Sequence, residues 1–187
     1  MPLKMEATAD IIIQGNRLEL KEYQLPLAGM FYNLVAKNKN RLEQSFPVTV
    51  ESCETAESTK DLLVRFSHER RGGIMLTYGI YLKDKPELIG HIFAKSIEWK
   101  IPKCELGYWI GSGYEGQGYT TEALTLLAAH CFEKLKMKKL FIRIIPGNEA
   151  SRRVAEKAGF VKEGVLRNEF RTYNNQLVDV EYYGKTI

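Results

Sequence analysis

Gly111-Ser-Gly-Tyr-Glu-Gly-Gln-Gly-Tyr-Thr-Thr-Glu122 stands between a short apolar run, Cys104 to Ile110, and a strongly helical stretch, Thr120 to Lys136. A second apolar run, Leu140-Phe-Ile-Arg-Ile-Ile145, comes next. Strand, glycine-rich turn, helix and strand in that order predict a parallel crossover. Within its helix, Leu124, Leu127, Cys131 and Leu135 make a buried stripe at helical spacing. Pro146-Gly147 ends the second strand, and Glu149 to Ala158 reads as a short helix closed by Gly159.

Outward from the crossover, the elements are simpler. Arg17 to Lys21 alternates in polarity and reads as a first strand. Pro26 to Gln44 carries helical periodicity through Met30, Phe31, Leu34 and Val35, and Ser45-Phe-Pro47 closes it. Thr55 to Glu69 is a second helix, with Leu62, Leu63 and Phe66 on one face and Gly72-Gly73 as its stop. Two strands, Ile74 to Leu82 and Leu88 to Trp99, flank a hairpin turn at Lys83-Asp-Lys-Pro-Glu87. Val161 to Arg167 and Leu177 to Lys185 finish the chain around a turn at Asn174-Asn175. In the last strand Val178, Val180 and Tyr182 alternate with Asp179, Glu181 and Tyr183. No repeat or interdomain linker interrupts the series, so a single α/β domain over 1–187 is expected: a mixed sheet with helices on both faces.

Composition narrows the function classes. The 187 residues are 44% hydrophobic and 11% aromatic, enough for one sizeable core. A formal net charge of +4 suits a phosphate-bearing ligand or an acidic partner but falls far short of a nucleic-acid-wrapping protein. Cys53, Cys104 and Cys131 show neither paired nor metal-ligand spacing, which predicts buried thiols, no disulfide framework and no metal. The start, Met1 to Ile13, has only a three-residue apolar run, and no stretch approaches the roughly 18 apolar residues of a membrane span. A soluble cytoplasmic protein without a membrane partner is expected, and exposed edge strands are compatible with a homodimer.

The glycine cluster admits three readings. Gly111 to Gly116 fits Gly-x-Gly-x-x-Gly, but a dinucleotide fold needs an acidic residue about 20 positions on, where Leu135 to Lys139 is basic. A phosphate-binding P-loop needs Gly-Lys-Ser/Thr, and Gly116-Gln-Gly-Tyr-Thr120 has no lysine. The third reading is a turn with no ligand. Against that stands Gly116-Gln-Gly118: two missing side chains let backbone approach a ligand, and amides opening a long helix point free N–H donors at an anion. Thr120 and Thr121 add hydroxyls, whereas Glu122 serves the helix's own N-terminal electrostatics. Gly111 and Gly113 mainly turn the chain out of the strand.

Glu105-Leu-Gly-Tyr-Trp-Ile110, Tyr114-Glu-Gly-Gln-Gly-Tyr-Thr-Thr-Glu-Ala123, Asn148-Glu-Ala-Ser151 and Glu156-Lys-Ala-Gly-Phe160 together resemble the GCN5-related N-acetyltransferases (GNAT). The similarity is to the branch that acetylates ribosomal-protein N-termini (RimJ/RimL-like), over a core from Arg17 to the C-terminus. The resemblance implies a central, mostly antiparallel sheet of about six or seven strands. Its fourth and fifth strands, Cys104–Ile110 and Leu140–Ile145, would splay to admit the pantetheine arm of acetyl-CoA. Amides of Glu115, Gly116, Gln117, Gly118 and Tyr119, with Thr120, would meet the pyrophosphate. The backbone of Trp109, Ile110 and Gly111 would pair with the arm, and an amide there would polarise the thioester carbonyl. Oxyanion donors of this kind contribute about 3 kcal/mol each. Asn148 would hydrogen-bond the arm, although its position equally suits a helix N-cap. The sequence departs from the family in two places. Gly113 replaces a frequent Gln or Arg, and Ala155 stands where many members place a thiolate-protonating tyrosine. Ser151 is then the candidate acid, or else a plain early-helix serine.

The implied acceptor is an amine, above all the N-terminal amine of a protein, ribosomal in this branch. Such an amine has a pKa of about 8 and is partly neutral already, against about 10.4 for lysine. Glu105 and Glu169 are the candidate bases. His68 and His130 lie in helices and read as structural; His91, after Gly90, is a third candidate for the acceptor groove. Arg153, with Arg152 and Lys157, falls near the nucleotide end of the cofactor or is simply solvated. Phe31, Tyr32, Tyr108 and Trp109 line the groove or pack the core. A small-molecule amine acetyltransferase (aminoglycoside, polyamine or amino acid) and a non-catalytic acyl-CoA-binding module are the alternatives.

Overall fold

A short strand, β1 (Ile12–Gln14), opens the part of the chain that the computed structural model describes, residues 12–85 and 87–187. The reading of the amino-terminal start as far as Ile11, and the part of Pro86 in the Lys83–Glu87 turn, lie outside the described residues. The β2 strand (Leu18–Lys21) buries Leu18 and Leu20 completely, as its alternation predicts. Helix α1 (Ala28–Leu42) comes after a single 3-10 turn containing Pro26. Pro47, expected only to end that helix, instead opens another, α2 (Pro47–Ser52). At a first helical position proline lacks only an N–H that would go unpaired anyway. Helix α3 (Ala56–Arg71) starts at Thr55, whose hydroxyl accepts from the Ser58 amide at 3.0 Å while the Ser58 hydroxyl accepts from the Thr55 amide at 3.1 Å. This reciprocal cap is worth about 1 kcal/mol.

The remaining elements are β3 (Leu76–Leu82), β4 (Leu88–Glu98), β5 (Lys103–Ile110), α4 (Tyr119–Glu133), β6 (Lys139–Ile144), α5 (Glu149–Lys157), β7 (Val161–Arg171) and β8 (Leu177–Thr186). Among the described residues the strands form one sheet of eight, one or two more than expected, in the order β1-β2-β3-β4-β5-β6-β8-β7. The addition is β1, built from an apolar run too short to be assigned from the sequence. Among the described strands only β5 and β6 run parallel. Helices α1, α2 and α3 cover one face through Phe31, Val35, Val50, Leu63 and Phe66. On the other face α4 and α5 bury Leu124, Leu127, Cys131 and Ala155 against Tyr78, Ile92 and Leu106. Each fully buried leucine contributes about 1.5–3 kcal/mol.

The final hairpin departs from the simple alternation. Register shifts between Lys162 and Gly164 and between Leu166 and Phe170, with Asn168 at φ 52°, let β7 run on to Arg171 rather than stop at Arg167. In β8 it is Tyr183 that enters the core, whereas Tyr182 stacks on Phe141 at 4.8 Å.

Candidate active site

The pairing of β5 with β6 stops after three positions, Lys103 with Lys139, Cys104 with Leu140 and Glu105 with Phe141. Beyond Glu105 the strands part, in keeping with the expected splay. The cleft between them is lined by Gly107 and Tyr108 from β5, Ile142 to Ile144 from β6, and Asn148 and Ser151 above. Phe46, Phe93 and Phe170 close its other end. The Gly111 amide donates to the Ile89 carbonyl on β4 at 2.8 Å. The Trp109 carbonyl also faces β4, 2.6 Å from where a β-carbon on Gly90 would stand. Peptide groups alternate along a strand, so Tyr108 and Ile110 turn theirs toward the cleft. Of the expected trio Trp109, Ile110 and Gly111, only Ile110 presents its peptide there, and its carbonyl accepts from Arg41 at 3.4 Å. The Trp109 ring is buried on the opposite face beside Phe31 and His91.

Past β5 the chain makes a 3-10 turn over Ser112–Tyr114, with the Ser112 amide held by the Asn38 side chain at 2.9 Å. Glu115 is extended and its carboxylate is paired with Arg41. Gly116 and Gly118 then adopt φ of +72° and +79°, the left-handed region that favours glycine, whereas Gly113 does not. Gly118 caps α4 without any side-chain hydrogen bond, which leaves the first amides of the helix to a ligand or solvent. Among the described residues no atom beyond the chain neighbours lies within 4 Å of a β-carbon built on Gly116. Gln117 turns its side chain back to the Gly113 carbonyl at 3.2 Å, while Tyr119 and Thr120 begin the helix half-buried. Glu122 has a further partner: both its oxygens accept from Arg17, at 2.8 Å each.

Asn148 caps α5, its Oδ1 accepting from the Ser151 amide at 3.1 Å. The Ser151 hydroxyl donates to the Tyr108 hydroxyl at 3.2 Å, and Tyr108 donates to the Ser151 carbonyl at 3.0 Å. Burial pushes the Tyr108 phenol up to about 12, so it stays protonated at neutral pH. From the sequence, Tyr108 is only groove lining or core. The available signal was its hydroxyl on the apolar Leu106-Tyr108-Ile110 face, where a buried O–H requires a partner.

The two candidate bases are joined by a residue that the sequence did not single out. Arg143 on β6 reaches Glu105 on β5 at 2.9 Å through one nitrogen and Glu169 on β7 at 3.4 Å through another. Glu105 is only 6% exposed and also has Lys95 at 3.6 Å, whereas Glu169 lies largely open to solvent. Arg153 points outward from α5, and Arg152 is paired with Glu149.

His91 is not in the cleft. It is buried on the α1–α3 side of the sheet among Phe31, Phe66, Phe93 and Trp109, with its Nδ1 2.7 Å from the Tyr23 hydroxyl. Burial pushes its pKa down to about 3, so the ring is neutral. His130 is lowered in the same direction, burial being the main cause. Among the described residues no group of His, Cys, Asp or Glu is placed to hold a metal ion, and no helix is long and apolar enough to cross a membrane.

Residues 17–161 match the acetyltransferase (GNAT) domain family. The chain is similar to the ribosomal-protein-serine acetyltransferase of Escherichia coli (strain K12), 34% identical over 159 residues that cover 83% of this chain and 85% of that protein. It is also similar to the structure of RimL, a ribosomal L7/L12 alpha-N-protein acetyltransferase, in complex with coenzyme A. That likeness has a TM-score of 0.85 at 26% identity and covers 95% of this chain and 98% of the other. Mycobacterium smegmatis RimJ, in complex with CoA-disulfide, shares the fold with a TM-score of 0.87 at 21% identity, covering 95% of this chain and 88% of that one. With a matching domain that spans the cleft and its glycine loop, the chain belongs to the GNAT acetyltransferase family, in its ribosomal-protein (RimJ/RimL-like) branch.

Proposed function

We propose that the protein moves an acetyl group from acetyl-CoA to the N-terminal amine of a protein, ribosomal in the first instance, in the cytoplasm. The observation that carries this reading is the coincidence of a strand edge freed at Glu105 with a glycine-opened helix N-terminus at Gly116 to Tyr119. The first fits a narrow arm that adds to the edge like a strand; the second fits phosphates. The residues present therefore suit the cofactor, which supplies an activated acetyl thioester when bound.

The chain's own residues divide the remaining work. Amides of Gly116, Gln117, Gly118 and Tyr119 hold the anionic end, with the helix dipole in support. The outward-turned peptide of Ile110 stabilises negative charge at the carbonyl oxygen. The Ser151 hydroxyl, set by Asn148 and Tyr108, delivers a proton to the departing sulfur. Glu169, open to solvent beside Arg143 of the cleft wall, takes the proton from the amine. Glu105, engaged by two cations, holds Arg143 and Lys95 in place instead. An α-amino group with a pKa near 8 needs only such a modest base.

A free-thiol release screen over N-terminal peptides, polyamines and aminoglycosides tests the reading. Release with peptides bearing a free N-terminus, lost on N-terminal blocking, is expected. Release only with polyamines or aminoglycosides would replace the acceptor, and no release with any amine would remove the catalytic reading.

A further inference from the structure

The loop that opens α4 is held from the far end of the sequence. Arg17, at the entrance to β2, stacks its guanidinium over the Tyr119 ring at 4.6 Å and donates from Nη1 to the Gln117 carbonyl at 3.0 Å. Its Nε and its backbone amide take the two oxygens of Glu122, one turn into the helix, at 2.8 Å each. The β1–β2 turn closes the same joint. A β-carbon on Gly15 would stand 2.6 Å from the tip of the Leu126 side chain and 3.0 Å from the Glu122 carboxylate and the Leu18 carbonyl, so a larger residue would have to push Leu126 aside for the turn to keep this approach to α4. The net charge of the Arg17–Glu122 pair is zero, and the carbonyl of Gln117 is turned toward Arg17. Because a peptide is planar, fixing that carbonyl also fixes the Gly118 amide on its opposite side. Two left-handed glycines flank the peptide, and a segment with that much freedom needs an outside tie to keep one orientation.

We propose that Arg17 is the positioning residue of the phosphate-gripping loop, locking the Gln117–Gly118 peptide and the first turn of α4 so that their amides converge on the cofactor's pyrophosphate. The proposal rests on that loop being the cofactor's pyrophosphate grip. It assigns to Arg17 a geometric part that lysine cannot take, because only the planar fork reaches a carboxylate and a carbonyl together.

Titration calorimetry with coenzyme A and with pantetheine, which lacks the phosphates, separates the possibilities. In Arg17→Ala and Arg17→Lys, coenzyme A affinity should fall at least about tenfold while pantetheine affinity stays within about twofold. Hydrogen exchange at the Gln117 to Tyr119 amides should quicken. Glu122→Gln leaves Arg17 and β2 intact yet removes the charge and one of the two oxygens that hold the guanidinium in place, and should reproduce the pattern if Arg17→Ala folds poorly. Unchanged coenzyme A affinity in Arg17→Lys and Glu122→Gln, or an equal loss for both ligands, would overturn the proposal. If the unsubstituted protein bound coenzyme A no more tightly than pantetheine, the loop reading itself would fall and take the proposal with it.

Discussion

Tyr108 of β5 and Ser151 of α5 exchange two hydrogen bonds across the cleft, hydroxyl to hydroxyl at 3.2 Å and hydroxyl to carbonyl at 3.0 Å. The pair ties the helix after β6 to the strand from which β6 diverges, and it sets the rotamer of the one hydroxyl offered as an acid. Ser151→Ala should lower kcat on an N-terminal peptide by about 100-fold while changing acetyl-CoA affinity little. Tyr108→Phe should lower it by roughly tenfold, because the serine keeps its proton but loses its bearing. Steady-state kinetics beside calorimetry gives both quantities. An unchanged kcat in Ser151→Ala would reduce Ser151 to a helix residue.

Gly116 and Gly118 should respond to alanine through the backbone more than through crowding. Open space surrounds a β-carbon at Gly116, and at Gly118 the nearest atom is an Arg17 nitrogen at an ordinary 3.5 Å. With φ of +72° and +79°, each alanine should cost about 1 kcal/mol in denaturant unfolding. Gly116→Glu should go further and abolish acetyl-CoA binding by setting a negative charge where phosphates would lie. Retained binding would displace the loop from its assigned role.

The carboxylates joined by Arg143 should separate in energy. Arg143→Met leaves Glu105 buried with only Lys95 at 3.6 Å, and unfolding in urea should show a loss of about 3 kcal/mol. Glu169→Gln touches an exposed pair and should cost under about 1 kcal/mol. Its effect belongs in turnover: the rise of kcat/KM with pH should move toward the amine's own titration once the base is gone. Equal stability losses for the two variants would contradict the burial difference.

His91 predicts a pH dependence of stability. Its folded pKa of about 3 lies below the ordinary 6.5, so the unfolded chain binds the proton more readily than the folded one. The contribution of the neutral ring is complete above pH 6.5 and is lost as pH falls toward 3. Between pH 6.5 and 5, before most carboxylates titrate, stability should fall with a limiting slope of about 1.4 kcal/mol per unit. His91→Gln should flatten that stretch of the curve, and an identical slope in the variant would assign it to other groups.

The parts of this molecule visible in its sequence are those fixed by neighbours in the chain. The crossover from Cys104 to Ile145 was legible because periodicity, glycine placement and order agree. The start of α3 beside Thr55 was legible from its helical spacing, whereas the reciprocal cap that Thr55 forms with Ser58 came from the structure. Pro47 misled because a proline is a helix stop toward its N-terminal side and a helix opener toward its C-terminal side. Tyr182 and Tyr183 do lie on opposite faces of β8, as their alternation requires, but alternation alone does not say that Tyr183 is the one buried in the core while Tyr182 stacks on Phe141. The site was legible as a loop and a set of candidates, but not as a set of contacts. Glu122 finds Arg17 across 105 positions, and Arg143 finds Glu105 across 38. No local pattern reports which of several arginines will make such a partnership, and so Arg17, Arg143 and the bearing of Tyr108 emerged only from the fold.

The short ladder between β5 and β6 makes the sheet two leaves on one spine. The leaf of β1 to β5 and the leaf of β6 to β8 share backbone bonding over only three rungs, and the last rung, Glu105 with Phe141, carries the Glu105–Arg143 ion pair beside it. A molecule seated above that rung touches both leaves at once, so its binding energy acts across the spine as well as within a pocket. With the cofactor seated there, as proposed, the angle of the open book would be a property the cofactor shares in setting, with the ion pair as its stitch.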